Sequence, residues 1–140
     1  MGSEYGWRMS SSQPRIIAVR SGRVRPSGSW LYVWLDSTSG EIVHIGGTGF
    51  DPELRAYLHL TSDDPRLGRV RAEVPRSGER DFDVLAFEVA DGIAREPAKT
   101  ALIARLSTDD DRQLTDGLRE IIDPMARAVS DYRASLSAKD

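Results

Sequence analysis

The chain has 140 residues, 39% of them hydrophobic and 29% charged, with a net charge of −3, which is the composition of one domain able to bury a core without staples. Cysteine is absent and histidine occurs only at His44 and His59, which excludes a disulfide framework, a thiolate zinc site, an iron–sulfur cluster, a cysteine nucleophile and a multi-histidine metal cage. No run approaches the roughly 20 apolar residues that span a membrane and the first residues lack a signal-peptide core, so a soluble, cytoplasmic protein is expected.

Residues 1–13, rich in Gly and Ser, read as a flexible leader to a single domain over 14–140, with a core at about 30–106 and a helical extension over 107–140. Pro14–Arg20 holds a short β-branched run, the pattern of an edge strand, and Gly22–Ser29 reads as a loop. Between Glu4 and Asp36 stand Arg8, Arg15, Arg20, Arg23 and Arg25 with no acid among them. Such a local field suits a phosphate backbone, and it equally suits a solvated tail.

Leu31–Asp36 and Glu41–Gly46 are strand-like runs joined by Ser37-Thr38-Ser39-Gly40, which is turn chemistry, so a β-hairpin is expected. Gly46, Gly47, Thr48 and Gly49 then read as a tight, flexible connection. Asp51-Pro52-Glu53 opens a helix: a capping carboxylate, a proline at the first helical position and an acid facing the positive end of the dipole. Leu54 and Leu58, four apart, are expected to face the core, while Arg55 and His59 share a second stripe.

Residues 71–82 read as a polar loop. Asp83–Val89 is a third strand, and Ala94–Leu106 a helix with Pro97 in its first turn and an apolar face of Ala98, Leu102, Ile103 and Leu106. Asp109-Asp110-Asp111 reads as the acidic start of a further helix carrying Leu114, Leu118, Ile121 and Ile122. Pro124 is expected to break or kink it before a last amphipathic segment, Met125–Leu136. Helices follow strands without regular alternation, which predicts an α+β domain with a small, mainly antiparallel three-stranded sheet flanked by helices.

A hairpin, a glycine-rich exit, and a helix presenting Arg and His on one stripe resemble the GIY-YIG nuclease family. Trp30-Leu31-Tyr32 stands at the place of the family's first triplet, His44-Ile45-Gly46 at that of the second, and Arg55 and His59 at those of its helix arginine and histidine. The likeness covers about residues 30–60 well and 83–106 loosely. It implies phosphodiester hydrolysis with Mg2+ or Mn2+, DNA rather than RNA as partner, and a catalytic set of Tyr32, His44, Arg55 and His59. Contacts to nucleic acid are expected from the acid-free run of Arg15, Arg20, Arg23 and Arg25 and from Gly46 and Thr48 beside the motif.

The family's metal-binding glutamate falls on Lys99, three residues before Leu102-Ile103, which leaves Glu96, one turn earlier, or Glu88, at the end of the third strand, as metal ligands. The family's asparagine has no counterpart, since the chain contains no Asn. Two readings stand side by side. One is a divergent endonuclease taking its carboxylate from Glu96 or Glu88. The other is a module of the same fold that binds nucleic acid or a protein without cleavage, Lys99 supplying a fixed positive charge. Taken singly, Tyr32 also fits an ordinary strand aromatic, Arg55 a solvated helix arginine, and His59 a packed histidine.

Overall fold

A computed structural model of the chain describes residues 19–24, 28–108 and 116–138. The expected leader, Arg8, Arg15, Arg25, Asp109–Asp111 and Leu114 lie outside the described residues. Of the expected edge strand, Val19–Arg20 (β1) is described, paired antiparallel with Arg23–Val24 (β2) across Ser21 and Gly22, both at positive φ. A second short strand therefore forms within the stretch expected to be loop.

The main sheet is built on Trp30–Asp36 (β3). Its sequence, WLYVWLD, is apolar at nearly every position, as a strand covered on both faces requires. Ile42–Thr48 (β4) pairs antiparallel along one side of it and Phe82–Glu88 (β5) along the other, in the order β4-β3-β5. The connection from β3 to β4 is fixed by Asp36, whose Oδ1 accepts from the amides of Thr38 at 2.8 Å and Ser39 at 3.0 Å, and by Gly40 at φ +79°. Arg80, just ahead of β5, donates to Asp36 Oδ2 through Nε at 3.1 Å and Nη2 at 3.0 Å. That pair clamps the turn to the third strand.

Alternation sorts β3 onto two faces. Leu31, Val33 and Leu35 point to one side, where Arg95–Thr108 (α3) and Asp116–Ala138 (α4) cover them with Ala98, Leu102, Ile122, Met125 and Val129. Tyr32 and Trp34 point to the other, toward Pro52–Thr61 (α1) and the short helix Arg69–Glu73 (α2), whose Val70 closes a second, smaller core with Val74 just beyond its end. The result is an α+β domain: a three-stranded antiparallel sheet flanked by helices, with two helices at the C-terminal end.

Several expectations need correcting. Gly46, Gly47 and Thr48 are not a turn but the last residues of β4. α1 begins as expected, Asp51 accepting from the amides of Glu53 and Leu54, but Leu54 is 54% exposed and the inward residues are Ala56 and His59. The surface that α1 meets is ringed by aromatic and imidazole groups, which a histidine matches better than a leucine does. The expected loop over 71–82 contains the end of α2 and a 3-10 turn at Ser77–Glu79. On α3, Ile103 is turned outward and Ala101 is buried in its place. Pro124 does not divide α4, which runs unbroken from residue 116 to 138. Both Pro124 and Glu120, whose carbonyl loses its helical partner, are exposed, so water can satisfy the freed group.

Candidate functional site

The α1 side of the sheet carries the candidate site. Residues directly opposite in an antiparallel pair project to the same face, so the register Tyr32↔Gly46, Trp34↔His44 and Tyr32↔Ala86 gathers these side chains together. Gly46 is required here. A Cβ at that position would lie 2.6 Å from Tyr32 Oη, 2.7 Å from Cζ and 2.8 Å from Cε1, so the phenol occupies the space a side chain would fill.

That placement carries Oη to His59 Nε2 at 2.7 Å. His59 is fully buried among three rings, with centroid separations of 5.4 Å to Tyr32, 5.5 Å to Trp34 and 4.8 Å to His44. Its Nδ1 has no hydrogen-bond partner among the described residues. One turn earlier on α1, Arg55 stands beside the cluster and donates from Nη1 to the Leu67 carbonyl at 2.6 Å, which ties the helix to the segment leading into α2. The four residues expected to form the catalytic set are thus brought together: two by one hairpin, two by one helical turn.

The electrostatics are one-sided. Burial lowers His59 to about 3, and Arg55, His44 and Arg69 push it the same way. Burial lowers His44 to about 4, helped by Arg69, Arg55 and Lys99 and opposed by Glu73. Both imidazoles are therefore neutral near pH 7. Burial raises Tyr32, and the field of Arg55, Arg69 and Arg95 opposes that rise. A protonated phenol against a neutral imidazole is a pair able to share one proton. The cations that surround it are what an anionic ligand would meet.

Among these cations Arg69 pairs with Glu73 at 3.0 Å and Lys99 with Glu96 at 3.3 Å, whereas neither Arg55 nor Arg95 makes an ion pair among the described residues. Arg95 reaches Ser29 Oγ at 3.3 Å, and its side chain lies flat on β4 where Gly47 has no Cβ, with Cδ 3.0 Å from the position one would take.

No family model, no curated protein and no solved structure matches the chain.

The remaining expected residues are distributed unevenly. Thr48 is buried, and its Oγ1 accepts from the Phe50 amide at 3.1 Å, which shapes the exit toward α1. Arg20 and Arg23 are exposed on the β1–β2 ribbon, and no hydrogen bond or ion pair among the described residues ties them to the Tyr32 cluster. Arg69 and Arg95 are site residues that the sequence alone does not single out. Arg69 opens a helix too short to show a period, and Arg95 sits at the head of α3 with no motif to mark it.

The expected metal ligands do not form a cage. Glu88 lies on the Tyr32 face, opposite Trp30, and is exposed; Glu96 is ion-paired to Lys99 with its carboxylate side chain 75% exposed. No group of three His, Asp or Glu suited to a metal occurs among the described residues. Magnesium keeps most of its waters and binds through one or two protein carboxylates, so a single acid such as Glu88 or Glu96 would be the protein's share of such a site.

Proposed function

We propose that this chain is a GIY-YIG-like module that holds the phosphodiester backbone of nucleic acid, DNA in the first place, at the rim of the Tyr32–His44–His59 cluster without cutting it. The observation that carries the reading is that the charges of Arg55, Arg69 and Arg95 all act on Tyr32 in a chain whose total charge is negative, Arg69 alone of the three being paired with a carboxylate, Glu73. Arg55 and Arg95, having no carboxylate partner among the described residues, are the groups with charge to spare for a phosphate. Lys99, paired with Glu96, adds a smaller contribution to the positive field at His44. No helix among the described residues is long and apolar enough to cross a membrane.

Fluorescence anisotropy with a short labelled DNA duplex tests this. Affinity should fall with salt at a logarithmic slope of about −0.9 per phosphate contacted, and Arg55→Gln or Arg95→Gln should each reduce that slope by about one. Binding should persist in EDTA. A protein that binds no nucleic acid even at low salt would overturn the proposal.

A second reading, a divalent-metal endonuclease, draws on the Tyr32–His59 hydrogen bond and on the place of Glu88 on the same sheet face. Plasmid nicking with Mg2+ or Mn2+ that disappears in Tyr32→Phe, Arg55→Ala and Glu88→Ala would establish it in place of the first.

A further inference from the structure

Beside the Tyr32 cluster lies a groove of about 360 Å³ between the end of β4 and α1. Its walls are of two kinds. Phe50, Leu54, Leu58 and Leu67 make it apolar, and three of these, Phe50, Leu54 and Leu67, are exposed rather than packed in the core. Arg55 and Arg95 also line it, and their guanidinium groups make no ion pair among the described residues. Arg55 belongs both to this groove and to the phenol–imidazole cluster, so the two sites are continuous.

We propose that the groove takes an unpaired nucleobase whose flanking phosphates rest on Arg55 and Arg95, so that the ligand is a single strand or a base turned out of a duplex. This rests on the phosphate-binding reading above. The combination of walls selects the occupant. A purely apolar peptide would strip water from two guanidinium groups and give them no counter-charge. A nucleotide presents an aromatic face to Phe50 and Leu54 and an anion to each arginine, in one covalent unit. A base paired inside a duplex cannot enter, because its faces are already covered by its neighbours.

The experiment compares three labelled DNA ligands of equal length by anisotropy: a thymine single strand, the same strand with abasic sites, and a duplex. The single strand should bind roughly tenfold or more tighter than the abasic strand, in line with the contribution of one stacked base. Phe50→Ala combined with Leu54→Ala should lower single-strand affinity by a similar factor of roughly ten and leave the abasic strand and the duplex within about twofold. Both side chains are exposed, and the abasic comparison on unaltered protein needs no variant at all. Equal affinity for base-bearing and abasic strands, or a double variant with no effect, overturns the nucleobase site while leaving the phosphate reading intact. Failure of all three ligands to bind overturns both.

Discussion

Gly46→Ala offers the sharpest test of how the site is packed. Gly46 sits in β4 at an ordinary φ, so the general expectation for Gly→Ala is a gain of about 0.4–1 kcal/mol through the unfolded chain. The local geometry reverses the sign. The new methyl would stand 2.6–2.8 Å from three atoms of Tyr32, all nearer than real Cβ contacts come. The phenol has no free direction to retreat: His59 and His44 hold it at centroid distances of 5.4 Å and 6.0 Å, and the residue is buried. Overpacking of this kind costs about 1–3 kcal/mol. Displacing Oη also breaks the hydrogen bond to His59 Nε2, on a ring whose Nδ1 is already unpartnered among the described residues, for a further cost of about 1–3 kcal/mol. A net loss of about 1–5.5 kcal/mol is expected, a large share of the stability of a small domain. Urea unfolding measures it as a lowered midpoint at constant m. The double variant Gly46→Ala/Tyr32→Leu provides the control, since a side chain without the ring leaves room for the methyl. The cost of Gly46→Ala should shrink in that background by at least about 1 kcal/mol. A Gly46→Ala protein as stable as the parent, or a cost undiminished in the Tyr32→Leu background, would refute the reasoning.

The two histidines make stability depend on pH. An unfolded imidazole titrates near 6.5, whereas folded His44 and His59 sit at about 4 and about 3, so the unfolded state binds more protons through that window. Their contribution is complete above about pH 7 and is lost as pH falls through about 6.5 toward about 4 for His44 and about 3 for His59, with a slope of at most about 1.4 kcal/mol per pH unit for each ring. Urea midpoints that stay level between about pH 7 and about pH 5 would contradict it. Lys99→Glu replaces a cation that holds the His44 pKa down with an anion, so His44 should titrate higher when followed by NMR of its ring protons; an unmoved titration would place Lys99 too far away to act. At the hairpin turn, Asp36→Ala removes the acceptor of two backbone amides and the partner of Arg80 and should cost about 2–3 kcal/mol by chemical denaturation. Asp36→Asn keeps an oxygen for the amides and should cost about half as much, so equal losses would assign the turn's stability to the ion pair alone.

Much of the site is legible in the sequence because its spacing is local. Tyr32 and His44 face each other's neighbours across one hairpin, and Arg55 and His59 are separated by one helical turn, so period two and period four are enough to bring them together. The hairpin is marked by Ser37–Gly40, and the start of α1 by Asp51-Pro52. The rotation of α1 is not legible. Leucine is ordinarily the inward residue, yet here the opposing sheet face carries Tyr32, Trp34 and His44, and the histidine goes in while Leu54 stays out. α2 is hidden because RVRAE offers only Val70 to the interior and three charges to water. Arg69 and Arg95 come from segments far from the hairpin in sequence, and no local period points to them; only the folded arrangement places their charge near Tyr32.

The central position of β3 has a consequence for how the chain is made. Its partner β4 follows immediately, but β5 ends 40 residues after Thr48, so on a ribosome adding about 5–20 residues per second the second edge of WLYVWLD waits roughly 2–8 s for its mate. During that interval the most apolar strand of the protein presents open backbone donors and acceptors to any neighbouring nascent chain. The polypeptide that fills the delay, α1 and α2, packs on Tyr32 and Trp34 and can screen one face of the ribbon before its edge is closed. Slow translation through residues 49–88 would lengthen the vulnerable period, and a holdase that recognises extended apolar segments would shorten its effects.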